Sequence, residues 1–253
     1  MSKVVSVHSY RGGTGKSNTT ANLATMIARR GYRVGIVDTD IQSPGIHVLF
    51  GFGEDDLERS LNDYLWGRRS ISDVAYDVTS VLEGKGGDCS KVYLVPSSVK
   101  AGEIARVLRE GYDVGLLNEG FRELIETLKL DYLFIDTHPG LNEETLLSIT
   151  ISDVLVLILR PDQQDYQGTA VTVDVARKLE VPKLLIVVNK APQVLDFNQL
   201  KQRIEETYDA PVAGVLPHSD DMMVLASTGI FTIKYPNNPL TGVVEAIAHQ
   251  VMA

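Results

Sequence analysis

The segment from Lys3 to Ser17, KVVSVHSYRGGTGKS, most constrains what this chain can fold into. A short apolar run is followed by a glycine-rich loop and then by a helical pattern. The loop ends as the phosphate-binding motif G-x-x-x-x-G-K-[ST] does, although Tyr10 stands where that motif has its first glycine. Glycines allow successive backbone N–H groups to form a concave anion site, and the following helix N-terminus adds positive potential. The segment therefore predicts a strand, a phosphate-binding loop and a helix.

Apolar runs rich in valine, isoleucine and leucine alternate with helical patterns along the chain. The runs are 3–9, 33–38, 91–96, 131–136, 153–159, 183–189 and 212–217. The helical patterns are 17–30, 102–109, 118–129, 142–150, 165–179, 197–207 and 239–252. Several runs are apolar at nearly every position, which suits parallel strands covered on both faces. We predict an α/β fold with a doubly wound, mostly parallel sheet of about seven to eight strands flanked by helices.

The length of 253 residues fits a single domain over 1–253. Residues 51–90 are polar and break the alternation, so we predict an insertion of short helices and a loop on the same domain. The N-terminus does not resemble a signal peptide and no apolar run approaches the roughly 18 residues of a membrane span, so we expect a cytoplasmic protein. The single cysteine, Cys89, excludes an intrachain disulfide and a cysteine-rich metal site built from one chain.

Polar residues follow the apolar runs at the points where parallel strands end, which is where ligands bind in such sheets. Lys16 and Ser17 close the glycine loop and could serve the phosphates and Mg²⁺. An aspartate that ends an apolar strand is a usual partner of nucleotide-bound Mg²⁺. The residues in such positions are Asp38, Asp40, Asp136, Asn189, Pro217, His218 and Asp220. Together they predict a nucleotide site.

These motifs resemble the ParA/MinD family of deviant-Walker-A P-loop ATPases. That family's loop reads K-G-G-x-G-K-[ST], which YRGGTGKS approaches without a glycine at position 10. VDTDIQSPG resembles its first switch, FIDTHPG its Walker B and second switch, and VVNK and GVLPHSDDM its base-binding segments. The stretch LASTGIF is similar to one near the family's C-terminal end. The resemblance covers nearly the whole chain.

The resemblance implies ATP and Mg²⁺ as cofactors. Phosphate contacts are implied for Gly12, Gly13, Thr14, Gly15, Lys16, Asn18 and Gly140. Magnesium contacts, direct or through water, are implied for Ser17, Asp38 and Asp136. Adenine contacts are implied for Asn189, Pro217, His218 and Asp220. Asp40 is implied to position the attacking water.

Arg11 departs from the family pattern, which has a lysine that crosses a dimer interface to the partner's nucleotide. Arginine keeps the charge and adds a rigid fork of donors, so the resemblance implies a trans-acting cation and an ATP-dependent homodimer. The alternative, a purely local salt bridge, stays open.

The function implied is a slowly hydrolysing ATP-dependent dimeric switch that positions or regulates a cargo through an unidentified partner protein. The alternatives are a nucleotide-binding regulatory or scaffold protein with little hydrolysis, and an amidoligase-like enzyme, for which no substrate domain is evident. Iron–sulfur scaffold ATPases typically use a C-x-x-C pair, which one cysteine cannot supply.

The distribution of charged residues gives little support to binding of either DNA or a membrane, the two surfaces on which such switches work. Acidic residues outnumber basic ones in residues 161–253, so non-specific DNA binding is weakly supported. No lysine or arginine follows Lys234, so membrane binding through a basic C-terminal helix is not expected.

Overall fold

The apolar runs form the central sheet of the computed structural model, which describes residues 2–253. The strands are β1 (Lys3–His8), β2 (Arg33–Asp38), β3 (Tyr76–Asp77), β4 (Lys91–Val95), β5 (Tyr132–Asp136), β6 (Val154–Leu159), β7 (Lys183–Ala191) and β8 (Val212–Pro217). Their order across the sheet is β3-β4-β2-β5-β1-β6-β7-β8. Every neighbouring pair is parallel except β3 and β4.

Helices cover both faces of the sheet. They are α1 (Lys16–Ala28), α2 (Ile46–Leu49), α3 (Leu61–Leu65), α4 (Ala101–Glu110), α5 (Gly115–Leu128), α6 (Glu143–Thr150), α7 (Gln163–Lys178), α8 (Phe197–Tyr208), α9 (Asp220–Leu225), α10 (Phe231–Lys234) and α11 (Pro239–Met252). Short 3-10 turns occupy Glu54–Asp56 and Thr79–Leu82.

Alternate residues of each strand enter different cores, because successive side chains of a strand point to opposite faces. In β5, Phe134 belongs to the core formed with α1, α10 and α11. Leu133 and Ile135 belong to the core formed with α3, α5 and the buried part of α4. A third core lies under α6, α7 and α8. The unbroken apolar runs are explained by this burial on both faces, and the predicted fold class is confirmed.

Residues 51–90 hold the two 3-10 turns, α3 and β3. The strand β3 pairs antiparallel with β4 and forms one edge of the sheet. The single domain and the insertion at 51–90 stay predictions. The short elements α2, α9 and α10 were not predicted, since four to six residues are too few to show a helical period.

The last helix, α11, packs its apolar side into the core. Leu240, Val244 and Ile247 are buried there. The ammonium groups of Lys3 and Lys183 donate to carbonyl groups in its last turn, where the helix dipole favours positive charge. The apolar face of α11 is therefore covered by the sheet. Within residues 2–253, none of the helices combines the length and apolar character that crossing a membrane requires.

The strand register brings the functional residues together. Asp38 at the end of β2 is directly opposite Asp136 at the end of β5. Val7 of the central strand β1 is opposite Asp136 on the other side. The loop that follows β1 therefore leaves the sheet beside both carboxylates.

Candidate functional site

The glycine loop connects β1 to α1 in a conformation that depends on glycine. Gly13 and Gly15 have φ angles of 76° and 92°, which L side chains rarely adopt. Gly15 caps α1, so Lys16 and Ser17 form the first turn of that helix. Thr14 is buried, and its hydroxyl group has no hydrogen-bond partner among the described residues. The loop is thus shaped as a concave group of backbone donors at a helix N-terminus.

Three aspartates lie buried beside the loop. Asp38 and Asp136 end adjacent strands, and Asp40 follows two residues after Asp38 and donates its backbone N–H to the Asp38 carboxylate. Asp38, Asp136 and Asp40 are 0%, 1% and 8% exposed, respectively. Ionised carboxylates are expensive to bury without compensating positive charge. Such a cluster therefore calls for cations.

Lys16 supplies one cation to this cluster. Its Nζ lies 3.9 Å from Asp40 Oδ2 and 3.8 Å from Asp136 Oδ1. Thr20, one turn further along α1, donates its hydroxyl group to Asp136 Oδ1 at 3.2 Å. The lysine is buried and directed across the ends of the strands. It is placed to exchange its carboxylate partners for phosphate oxygens.

The carboxylates remain undercompensated with Lys16 in place. Asp38 Oδ2, Asp40 Oδ1 and Asp136 Oδ2 are buried and accept no hydrogen bond from the described residues. Burial, followed by the charges of Asp136 and Asp40, raises the pKa of Asp38 well above its ordinary value. Burial also raises the pKa of Asp40, and the charges of Lys16 and His138 partly offset this rise. The site therefore favours further positive charge.

A magnesium ion fits this need. No three His, Cys, Asp or Glu side chains in residues 2–253 are arranged to chelate a metal directly. Magnesium does not require such a cage, because it usually keeps several waters and binds one or two carboxylates together with substrate phosphates. The hydroxyl group of Ser17 and the free oxygens of Asp38 and Asp136 would hold it. When bound, it would neutralise charge on the phosphates.

Two histidines border the carboxylates. His138 Nε2 lies 3.7 Å from Asp40 Oδ1, while its Nδ1 donates to the carbonyl group of Pro139. His8 is fully buried and pairs through Nδ1 with the Thr137 hydroxyl group at 2.7 Å. Burial, followed by the charges of Lys16 and His138, lowers the pKa of His8 to about 3, so it stays neutral. In the sequence, His138 lies in the segment that resembles the second switch, where it could contact the γ-phosphate or only tune the loop, whereas His8 is expected in the core because it lies on a buried strand.

Arg11 makes ion pairs within its own chain. Its Nη1 lies 3.2 Å from Asp165 Oδ1 and 3.5 Å from Asp162 Oδ1, at the start of α7. Asp165 also accepts the backbone N–H and the Nε–H of Arg160 through Oδ2. This is the local salt bridge left open by the sequence. The trans-acting role of Arg11 stays a prediction, and in a dimer it would require Arg11 to leave these partners.

Tyr10 packs against the same helix. A Cβ atom added at Gly168 would lie 2.1 Å from Tyr10 Cδ1 and 2.7 Å from Tyr10 Cβ. Tyr10 and Arg11, of which only Arg11 departs from the family motif, therefore dock on a face of α7 formed by Asp162, Asp165 and Gly168. We call these two residues the arm of the phosphate loop. The sequence carried no signal that joins positions so far apart.

Gly12 and Gly140 lie on the outer side of the loop. Gly12 is exposed, and Pro139 contacts the position of its missing side chain at 3.9 Å. Gly140 has a φ angle of 88°, and its N–H donates to the carbonyl group of Ser9 at 3.3 Å. That N–H is therefore engaged with the loop, and its contact with the γ-phosphate stays a prediction that requires this hydrogen bond to break.

A cavity of about 380 Å³ opens beside the phosphate loop. Asn18 and Thr19 of α1, Asn189 and Lys190 of β7, and Pro217 and His218 at the end of β8 are among its lining residues. The volume lies within the range of small-molecule sites. Its mixed apolar and amide lining suits a nucleotide base.

The four residues predicted to contact adenine differ in whether they line this cavity and in whether their polar groups already have hydrogen-bond partners. Asn189 lines it, but its Nδ2 donates to the carbonyl group of Thr14 at 2.7 Å. Asp220 does not line it, because it begins α9 with its side chain in solvent. Pro217 and His218 do line it. Three of the four predicted positions, Asn189, Pro217 and His218, therefore line the cavity, and the adenine contacts stay a prediction.

The family follows from comparison with known proteins. The family model described as ParA: NUBPL iron-transfer P-loop NTPase matches residues 1–252. This chain belongs to the ParA/NUBPL family of P-loop NTPases. The predicted membership of the ParA/MinD group is confirmed.

Individual relatives of this ParA/NUBPL-family chain carry different names. An uncharacterised ATP-binding protein of Methanocaldococcus jannaschii is 26% identical, with 100% of this chain and 88% of that protein covered. An iron–sulfur cluster carrier protein of Pyrococcus furiosus is 24% identical over 73% of this chain and 60% of its own length. The fold is similar to that of the septum site-determining protein MinD complexed with Mg-ADP from Pyrococcus horikoshii. That structure has a TM-score of 0.78 and 21% identity, and the match covers 99% of this chain and 96% of that one.

One relative is named an iron–sulfur cluster carrier, but this ParA/NUBPL-family chain has too few cysteines to ligate a cluster by itself. Cys89 is its single cysteine and is exposed. It lies just before β4, at the amino-terminal edge of the sheet, whereas the phosphate loop lies at the carboxyl edge. Cysteine-ligated clusters need several thiolates. One chain therefore does not provide a cysteine set at the nucleotide site.

We predict that Gly168→Ala destabilises the protein, because the new methyl group collides with the base of the Tyr10 side chain. The expected loss is about 1–3 kcal/mol, the range for overpacking a buried contact. Urea unfolding measures it. Adding Tyr10→Ala should recover part of the loss.

A matched control is Gly242→Ala in α11, where no heavy atom lies within 4 Å of the added Cβ. That change should be neutral or stabilising by up to about 1 kcal/mol, since alanine favours helix over glycine. Equal stability of the two alanine variants would show that Tyr10 does not dock on α7.

We also predict that Asp38→Asn stabilises the nucleotide-free protein at pH 8. The pKa of Asp38 is raised in the folded state, so its ionised form opposes folding, and this penalty grows as pH rises from the ordinary pKa of an aspartate up to the raised one. Asparagine retains the acceptor for the Asp40 N–H. A gain of about 1 kcal/mol would raise the melting temperature by about 2–4 °C, with a smaller gain at pH 5.

The same variant should lose the extra ATP-induced stabilisation that Mg²⁺ gives the wild type. Thermal melts at both pH values, with ATP and with or without Mg²⁺, measure both effects. Asp55→Asn in an exposed 3-10 turn is the control. A lower melting temperature for Asp38→Asn than for the wild type at pH 8 would contradict the conclusion that the ionised Asp38 carboxylate destabilises the folded protein.

Proposed function

We propose that this chain binds ATP with Mg²⁺ and hydrolyses it slowly as a dimeric switch of the ParA/MinD type, acting on a cargo through a partner protein. The observation that carries this proposal is Lys16, held behind the glycine loop between Asp40 and Asp136. An ammonium group, a group of backbone donors and undercompensated carboxylates converge there. Phosphoryl transfer depends on such positioning and charge stabilisation.

The residues would divide the work as follows. The loop N–H groups bind the phosphates, and Lys16 leaves the carboxylates to contact the β- and γ-phosphates. Asp40 keeps a buried oxygen, Oδ1, without a hydrogen bond. That oxygen is suited to accept a hydrogen bond from the attacking water and to orient it. Asp40 is the residue of the set that lies beyond the strand ends, where such a water would sit.

The intrachain ion pairs of Arg11 favour a second candidate function, that of a nucleotide-binding scaffold. These two ion pairs satisfy Arg11 without a partner molecule. A chain in which Arg11 never leaves Asp165 would bind nucleotide but lack the trans-acting cation. It would then act as a nucleotide-binding scaffold with little hydrolysis.

The proposed partner is a protein rather than a membrane or DNA. The buried apolar side of α11 is not free to lie in a bilayer, and no lysine or arginine follows Lys234. Acidic residues predominate in the C-terminal part, which weakens non-specific attraction to DNA. A cytoplasmic location remains part of the proposal.

We predict that Lys16→Ala abolishes the ATP-induced rise in melting temperature, while Asp40→Ala keeps it and loses turnover. A ligand that binds only the folded state raises its stability by mass action, about 2.7 kcal/mol at a hundredfold excess over Kd. Lys16 contacts phosphate, whereas Asp40 acts on water. Lys16→Ala also removes a cation from buried carboxylates, so its own melting temperature should fall.

The measurements are thermal melts with and without Mg-ATP and phosphate release at saturating ATP. A large ATP-induced shift in Lys16→Ala would show that the phosphate site is misassigned. Wild-type turnover no greater than that of Asp40→Ala, with ATP binding intact, would favour the scaffold function.

We predict that Mg-ATP converts the wild type from monomer to dimer and that Arg11→Ala weakens this dimer and slows hydrolysis. A guanidinium group that reaches the partner's phosphates would offset charge repulsion across the interface. Arg11→Lys should rescue part of the effect, since lysine offers a point charge instead of a fork. Asp40→Ala should accumulate the dimer, because hydrolysis no longer dissolves it.

Light scattering and ultracentrifugation with and without Mg-ATP measure these states. The matched control is Arg109→Ala, which removes an exposed arginine at the end of α4. If Arg11→Ala dimerises and turns over ATP as the wild type does, Arg11 acts only within its own chain.

A further inference from the structure

The end of β7 runs behind the phosphate loop and contacts its carbonyl groups. Asn189 Nδ2 donates to the carbonyl oxygen of Thr14 at 2.7 Å, and Lys190 Nζ donates to that of Gly13 at 2.8 Å. The contact is close, since a Cβ atom at Gly15 would lie 2.4 Å from Asn189 Nδ2. Two consecutive carbonyl groups of the loop are thus held by two consecutive side chains.

Holding these carbonyl groups fixes the direction of the neighbouring donors. A trans peptide unit is planar, with its C=O and N–H pointing in opposite directions. The bond to Gly13 O therefore turns the N–H of Thr14 away from Lys190, and the bond to Thr14 O turns the N–H of Gly15 away from Asn189. Together with the positive φ angles of Gly13 and Gly15, this arrangement forms the concave set of donors that binds phosphate.

The backbone at Lys190 is strained in a way that fits this role. Its φ angle is 54°, in the left-handed region that non-glycine residues rarely occupy. Its N–H donates to Asn189 Oδ1 at 2.8 Å, and the pairing of β7 with β8 shifts register between Val188 and Ala191. Strained residues persist where surrounding contacts determine them, and they concentrate at functional sites. Here the strain directs the lysine side chain to the loop instead of along the strand.

We propose that Asn189 and Lys190 are positioning residues for the triphosphate, which orient the loop's backbone donors by holding its carbonyl groups. The inference rests on the proposed ATP-binding function and deepens it. It assigns Asn189 to the phosphates instead of the adenine base. Because both residues also line the 380 Å³ cavity, a direct contact with the base is the competing role.

The test compares ligands with and without phosphates. In Lys190→Ala, affinity for ATP should fall about tenfold, as expected for loss of one hydrogen bond from a charged donor. Affinity for adenosine, measured by displacement of a fluorescent ATP analogue, should stay unchanged. The KM for ATP should rise more than kcat falls, because the bound loop can still adopt its active shape. Lys190→Arg should restore part of the ATP affinity.

Two variants separate the side-chain contact from the backbone strain. Lys190→Gly removes the ammonium group but accepts the positive φ, so it should bind ATP as weakly as Lys190→Ala while being more stable. The matched control is Lys129, an exposed lysine with a φ of 50° at the end of α5, remote from the loop. Lys129→Ala and Lys129→Gly should leave binding of both ligands unchanged.

Three outcomes would overturn the inference. Unchanged ATP affinity in Lys190→Ala would show that the contact to Gly13 has no consequence. Equal losses for ATP and adenosine would assign Lys190 to the base. Failure of the wild type to bind ATP would overturn the proposed function, and this inference with it, whereas the first two outcomes leave that function intact.

Discussion

The ammonium group of Lys16, between Asp40 and Asp136, is the interaction on which the rest of the site depends. The register of β2 and β5 forces Asp38 and Asp136 together at the carboxyl edge of the sheet, and both are buried. Without nearby positive charge, such a cluster would protonate or open. Lys16 is held there because the glycine loop begins α1 directly in front of the strand ends. The charge balance is incomplete, and this incompleteness makes the site receptive to magnesium and phosphate.

The sequence predicted the parts of this arrangement that local patterns encode. Runs apolar at nearly every position predicted the parallel strands, and the residues that follow them predicted Lys16, Asp38 and Asp136 at one edge. The arm formed by Tyr10 and Arg11 was beyond such reasoning, because its partners lie about 150 residues away on α7 and no periodicity connects them. The same limit applies to Asn189, whose amide group is engaged by a carbonyl group of the loop. No sequence pattern shows which backbone carbonyl group a distant side chain will contact. Asn189 was therefore assigned to the adenine base by resemblance alone.

The phosphate loop is supported from two sides by elements distant in sequence. On one side, α7 holds the arm through Asp165 and Gly168. On the other, the end of β7 holds the carbonyl groups of Gly13 and Thr14. The loop itself is rich in glycine, and glycine loses more conformational freedom on ordering than any other residue. External contacts that fix the loop before ligand arrives reduce the entropy lost on binding. Family membership alone does not reveal this support, since it depends on side chains outside the loop.

The energetics of Arg11 decide whether the arm can serve a dimer. Its side chain is 37% exposed, so its ion pairs with Asp162 and Asp165 are screened by water and contribute about 1 kcal/mol or less. Asp165 is buried but keeps two donors from Arg160 when Arg11 leaves, so no unpaired charge remains in the interior. A guanidinium group facing phosphates in a closed interface would form stronger, charge-assisted hydrogen bonds. The exchange of partners would therefore be favourable once a second molecule presents its nucleotide, and the intrachain pairs would hold the arm in order until then.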